Sequence, residues 1–244
     1  MPPGVRIIGP ILALGLLGGG ALRAATPVDL ELVLAVDVSS SVDAVEWDLQ
    51  RQGLALALAD PEVQRAVEAL PGGLAIAVVQ WSSFDRQALT LPWTWLRTAA
   101  ETRGFALEVG AMPRSFDWGQ TLIGEALAFA AAEIRGNGFA GRRRVIDVSG
   151  DGGAKYGTLP RRWRDRVVAE GITINGLAIL TDDPSLDAYY RANVIGGFAA
   201  FVTAARSLAD FSDAMTRKLL QEIEGEPLAT RPEDLRRDVV WRAR

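Results

Sequence analysis

The chain has 244 residues, 49% of them apolar, with 26 basic against 30 acidic side chains and a formal net charge of −4. That length suits one large domain with a substantial core, and the mildly acidic balance argues against nucleic acid or anionic membrane as the main partner. Cysteine and histidine are both absent, which excludes disulfides, thiolate chemistry, a lipid-attachment cysteine and histidine bases; any metal must be held by oxygen, which favours Mg²⁺, Mn²⁺ or Ca²⁺.

Residues 1–24 read as an export signal: Arg6, an apolar stretch over residues 7–17, then small residues at Gly19-Gly20-Ala21 or Leu22-Arg23-Ala24. The alternative is an uncleaved membrane anchor, for which Pro10, the five glycines between Arg6 and Arg23, and Arg23 itself make the stretch poor. The expectation is therefore a periplasmic or secreted protein whose folded domain spans residues 28–224. Residues 28–36 (VDLELVLAV) have the composition of a strand buried on both faces. This run stops at the polar turn Asp37-Val38-Ser39-Ser40-Ser41. A helix follows over about residues 43–59, with Val45, Leu49 and Leu56 expected on its buried face and Pro61 beyond its end.

Pro71-Gly72-Gly73 breaks the chain before a second buried-type strand at residues 74–79, beside which a short strand at 88–91 is expected to pair. Helical patterns cover residues 96–111 and 121–134, the latter ending at Gly136-Asn137-Gly138. A strand at 144–148 leads into the turn Ser149-Gly150-Asp151-Gly152-Gly153. A helix at 159–169, a strand at 172–180, a short helix at 186–190, a short strand at 200–203 and a last helix at 208–224 complete the series. Residues 225–244 lose apolar periodicity and gain charge, so a mobile tail is expected there. Alternating strands and helices predict an α/β fold, a doubly wound and mostly parallel sheet with helices on both faces.

In such a sheet, ligands gather at the carboxyl ends of the strands. Three polar segments fall there: Asp37-x-Ser39-x-Ser41, Thr121 in Trp118-Gly119-Gln120-Thr121, and Asp151 in Ser149-Gly150-Asp151-Gly152. Carboxylates and hydroxyls are hard oxygen donors, and two aspartates match the charge of one divalent ion. The competing reading is that Asp37 and Asp151 only cap helices. Ser82 and Ser83 either line the same rim or form their own turn. Trp81 and Trp118 adjoin these loops and are candidate partner anchors, or else pack between helix and sheet. Trp47, Trp93, Trp95 and Trp163 are assigned to core or rim, Arg142-Arg143-Arg144 to a solvated turn at the opposite end of the sheet, and Asp182-Asp183 to the start of a turn.

These residues resemble the von Willebrand factor A (vWA) domain, whose metal-ion-dependent adhesion site has the pattern Asp-x-Ser-x-Ser, a distant Thr and a distant Asp. Asp37, Ser39, Ser41, Thr121 and Asp151 match that pattern in order, over a resemblance covering residues 28–224. The stretches VQWSS (79–83) and YYRANVIGGFAAFV (189–202) are similar to an uncharacterised exported bacterial subfamily with this fold, DUF1194. The resemblance implies a divalent ion, usually Mg²⁺, held by those five residues with a coordination position left for a carboxylate from the partner. It implies a binding module for a protein or other carboxylate-bearing ligand in the cell envelope, with no assigned catalysis. Two alternatives stay open at this point: a metal-assisted hydrolase acting on phosphate esters, and a scaffold with metal-independent contacts. Against the hydrolase, aspartate-nucleophile phosphatases need a second Asp where this chain has Ser39.

Overall fold

The computed structural model of the chain describes residues 24–154, 156–207 and 210–225. The expected export signal and tail lie outside the described residues, apart from Ala24 and Gly225 at their inner ends. The apolar run following Ala24 forms β1 (Thr26–Asp37). It lies between β2 (Leu74–Trp81) and β4 (Phe139–Gly150), both parallel to it. Helices cover both faces of these strands, which is why they read as continuous apolar runs rather than alternating ones.

Two further parallel strands, β5 (Thr173–Ile179) and β6 (Val202–Ala205), extend the sheet beyond β4. On the other side β3 (Gln87–Leu96) pairs antiparallel with β2, giving the order β3-β2-β1-β4-β5-β6. The strand at 88–91 is thus longer than expected. Its Pro92 is exposed, and proline is tolerated there because β3 is the edge strand.

One face of the sheet, including Leu30, Leu32, Leu34 and Val36 of β1, packs against α1 (Ala44–Ala59), α2 (Pro61–Glu68), α3 (Ala99–Ala111) and α7 (Phe211–Glu224). The other face, including Val33 and Ala35, packs against α4 (Ile123–Gly136), α5 (Pro160–Ala169) and α6 (Leu186–Asn193). The alternation of β1 side chains between two cores follows from the two-residue period of a strand. Among the described residues no helix is long and apolar enough to cross a membrane.

Three local expectations are corrected. Val45, Leu49 and Leu56 face solvent, and α1 instead buries Trp47, Gln50, Gly53, Leu54, Ala57 and Leu58. The helix is apolar on most of its circumference, so spacing alone did not choose a face. Helix α2 was absent from the sequence reading. Its start is Asp60, whose carboxylate accepts from Glu62 N, followed by Pro61 at the first helical position, a pairing that begins a helix as readily as it ends one. Arg142, Arg143 and Arg144 lie within β4 rather than in a turn. Arg142 pairs with Asp29, Arg143 donates to the terminal carbonyls Glu222 O and Ile223 O of α7, and Arg144 donates to Glu170 O at the end of α5.

Chain order reverses between β1 and β4: β1 leads outward to β2, and β4 leads the opposite way to β5. The crevice of a doubly wound sheet opens at this switch point, beyond the carboxyl ends of those two strands. Asp37 is the last residue of β1, and Asp151 directly follows β4.

Candidate metal centre

The strand β1 delivers Asp37 completely buried, and the chain then turns so that Asp37 Oδ1 accepts the amide of Ser39 at 2.8 Å. Ser39 is equally buried, whereas Ser41 is exposed. The Ser39 hydroxyl lies 3.1 Å from Ser41 Oγ and 3.1 Å from Thr121 Oγ1. Ser41 Oγ in turn donates to Asp151 Oδ1 at 2.8 Å. Five side chains from three separate loops therefore form one connected cluster of oxygens. Ser41, Thr121 and Asp151 open into a cleft of about 320 Å³ that Tyr156 and Asp182 also line.

Two buried carboxylate oxygens in this cluster, Asp37 Oδ2 and Asp151 Oδ2, have no hydrogen-bond partner among the described residues. Burial, and secondarily the charge of Asp151, push the Asp37 carboxyl up to about 8. Burial raises Asp151 as well, against the stabilising hydrogen bond from Ser41. Orphaned anionic oxygens of this kind are costly unless something positive meets them. A hard divalent cation fits the donor set: two carboxylates for charge and three hydroxyls as neutral oxygens. Among the described residues no group of three or more acidic side chains is arranged to hold a metal ion, so hydroxyls and water would complete any coordination shell around the two carboxylates.

Several residues hold the loops in place. Arg114 Nη2 donates to Val38 O, Ser39 O and Val42 O at 3.1, 3.1 and 2.8 Å, tying down the turn that carries Ser39 and Ser41. Ser40 N donates to Gly119 O, and Gly119 N donates back to Ser40 Oγ. Gly119 has φ +149°, and a Cβ there would meet Ser82 Oγ at 2.0 Å, so only glycine permits this approach. Ser83 Oγ accepts the amide of Gln120 at 2.6 Å, and Leu122 N donates to Ser82 O. Ser82 and Ser83 thus do more than close their own turn: they clamp the segment that presents Thr121.

The two tryptophans beside the loops part company. Trp81 is fully buried in the core under α4, which corrects its assignment as a partner anchor: a surface ligand has no access to it. Trp118 is 61% exposed, with the Arg86 guanidinium stacked 3.7 Å from its ring centroid, so it stands as an accessible aromatic face beside the cluster. Asp183 Oδ1 accepts from both Ser185 N and Ser185 Oγ, the expected turn, while the charge of Asp182 reaches Asp151.

Sequence reasoning assigned no role to Arg114, Ser40, Tyr189 or Tyr190. Tyr189 OH accepts from Ala154 N at 3.1 Å, bracing the loop after Asp151. Tyr190 is fully buried beneath Asp37, its hydroxyl without a partner among the described residues. Arg114, Ser40 and Tyr189 each work through a contact many residues away in the chain, for which no local signal exists, although both tyrosines belong to the YYRANVIGGF stretch.

Comparison with known proteins bears on the whole domain. A family model described as a protein of unknown function (DUF1194) matches residues 27–227. None of the curated proteins compared matches the chain in sequence. Among solved structures, proximal thread matrix protein 1 from the mussel byssus superposes with a TM-score of 0.58 at 17% identity, over 82% of this chain and 49% of that one. A further structure of that protein has a zinc-occupied MIDAS motif. The vWF domain of the type V pili tip protein Mfa5 from Porphyromonas gingivalis gives 0.58 at 11% identity, over 84% of this chain and 98% of that one. A von Willebrand factor type A protein from Catenulispora acidiphila gives 0.53 at 17% identity, over 80% and 43%. The chain thus spans about half the length of the mussel protein and nearly all of the Mfa5 domain.

Proposed function

The chain belongs to the DUF1194 family and has the vWA fold, and from that premise we propose that it is an exported binding module whose loops hold one divalent cation, Mg²⁺ or Mn²⁺, for docking a partner's carboxylate. The observation that carries this reading is the cluster itself: Asp37, Ser39, Ser41, Thr121 and Asp151 converge within hydrogen-bonding steps, and two of their buried oxygens lack a partner. When bound, the cation supplies a Lewis-acidic positive centre for an incoming carboxylate.

The chain's own groups define the rest of the site. The buried pair Asp37 and Ser39 forms its floor, and exposed Ser41 with half-buried Thr121 forms its accessible side. Trp118 offers an aromatic face next to it, the kind of surface on which protein partners anchor. The pili tip and byssus proteins that share the fold support a role in adhesion or protein interaction rather than turnover. A hydrolase reading finds no support in the cluster, because Ser39 stands where a second carboxylate is needed and its hydroxyl is shared with Ser41 and Thr121.

Titration of Mg²⁺ or Mn²⁺ into purified protein tests the proposal. At a metal concentration about a hundred times Kd, the wild type should gain about 2.7 kcal/mol of stability. Asp37→Ala should lose that gain. Failure of the metal to stabilise the wild type would sink the reading.

A further inference from the structure

Arg86 is fixed along its backbone and its side chain but has no acidic partner. Its amide donates to Ser83 O at 3.1 Å and its carbonyl accepts from Ser82 N at 2.9 Å, which closes the tight turn after β2. The same two serines clamp the segment that presents Thr121, through Leu122 N on Ser82 O and Gln120 N on Ser83 Oγ. The Arg86 guanidinium lies 3.7 Å from the Trp118 ring centroid and 5.8 Å from that of Phe116. Trp118 in turn precedes Gly119, whose amide donates to Ser40 Oγ in the turn of Ser39 and Ser41. Arg86 is thus set in a fixed relation to two loops of the oxygen cluster while remaining half-buried. Among the described residues none accepts a hydrogen bond from its guanidinium or forms an ion pair with it, Asp85 and Asp117 included. Arg114, by contrast, commits its donors to the carbonyls of Phe116, Val38, Ser39 and Val42.

A guanidinium laid on an aromatic face keeps its edge donors available and has little freedom left to lose on binding. Trp and Arg are also the side chains on which protein partners anchor most strongly. The acceptor that suits the guanidinium fork is a carboxylate, which takes two parallel hydrogen bonds from it. The strand order β3-β2-β1-β4-β5-β6 puts the Arg86 turn on one side of the cluster and the Asp182-Asp183 turn, after β5, on the other. The available guanidinium therefore stands on the β2 side, and the β5 side of the cleft is acidic. We propose that Arg86, shelved on Trp118, is a second carboxylate anchor beside the cation site, so that the partner is an acidic polypeptide segment with two carboxylates, one for the cation and one for Arg86. This deepens the metal-binding reading and rests on it. The acidic β5 side sets the direction of the segment, because a second carboxylate placed there meets like charge.

Peptide selection tests the assignment. A phage-displayed library of random peptides is bound in Mg²⁺ and eluted with EDTA, in parallel for wild type, Arg86→Gln and Arg86→Glu. Wild type is expected to select peptides with two acidic residues at a recurring spacing. Arg86→Gln should keep the first preference and lose the second, and Arg86→Glu should select a basic residue in the second place. A selected wild-type peptide, resynthesised for titration, should bind Arg86→Gln about fivefold more weakly, with Mn²⁺ affinity and the metal-free melting temperature close to wild type. If Arg86 only braced the Trp118 loop, those two quantities would move and the charge of the selected peptides would not. Wild-type peptides with a single acidic residue, or the same peptides from wild type and Arg86→Glu, would overturn the proposal and leave the metal site standing. So would Mn²⁺ binding without any EDTA-released peptide. No Mn²⁺ binding by the wild type would instead overturn the metal reading and this inference with it. The wild-type selection is decisive by itself, so the test does not depend on either variant folding.

Discussion

At the scale of single residues, the oxygen cluster is held by contacts whose removal can be assessed separately from the five proposed ligands. Gly119→Ala forces a Cβ onto Ser82 Oγ and strains a backbone at φ +149°. The Thr121 segment must then shift, so Mn²⁺ affinity is expected to fall by at least tenfold, read by metal titration, with a loss of about 1–3 kcal/mol in stability. Arg114→Met keeps length but deletes donors to three carbonyls of the Ser39–Ser41 turn. Titration calorimetry should show weakened metal binding although Arg114 contributes no ligand. The five proposed ligands were legible in the sequence, because Asp-x-Ser-x-Ser, Thr121 and Asp151 each sit in a polar break after an apolar run. The supports were not. Arg114, Ser82 and Tyr189 act across separations of dozens of residues, and an arginine or tyrosine has the same local appearance whether it braces a loop or faces solvent.

At the scale of elements, helix ends are secured by side chains, some from the helix's own first turn and some from elsewhere. Asp43 and Glu46 close a reciprocal cap at the start of α1, and Thr98 and Glu101 do so for α3. Arg143 on β4 serves the other end of a helix, donating to the last carbonyls of α7. Arg143→Ala leaves those half-buried carbonyls without a donor, and chemical denaturation should register a loss of about 1–3 kcal/mol with metal affinity unchanged, since β4 carries Arg143 at the end of the sheet away from Asp151. Strands β1, β2, β4 and β5 were recognisable from composition because burial on two faces demands continuous apolar residues. Helix α2 was missed because Asp60-Pro61 punctuates equally well as an end or a beginning. The buried face of α1 was misjudged because nearly every face of it is apolar, and only the position of α3 and α7 beside it decided which side was covered.

The whole molecule carries a charged group of residues through its core. Lys218 of α7 is fully buried, 2.9 Å from Asp147 of β4 and paired also with Glu222, which accepts from Asn175 Nδ2 at 3.0 Å. Burial, and then the charge of Glu222, push the Asp147 carboxyl up to about 7, against the opposing pull of Lys218. The unfolded carboxyl titrates near 4, so between about pH 4 and 7 the folded chain retains a proton that the unfolded chain has lost. Stability must fall as pH rises through that window. Asp37 acts in the same sense in metal-free protein. Denaturation curves from pH 4 to 8 should therefore show declining stability, with a shallower decline in Asp147→Asn. An equal slope in both proteins would contradict the assignment to Asp147.

Composition and order along the chain were enough to establish that any metal here is held by oxygen, that strands and helices alternate in a doubly wound sheet, and which five side chains are candidates to hold an ion. These follow from residue chemistry and from periodicity, both of which are local. Which oxygens stand within reach of each other, that Trp81 is core while Trp118 is surface, and that Tyr190 is buried beside Gly150 were decided only by the tertiary fold. A contact between distant parts of a chain is set by the packing of everything between them, and packing leaves no signature in any one segment.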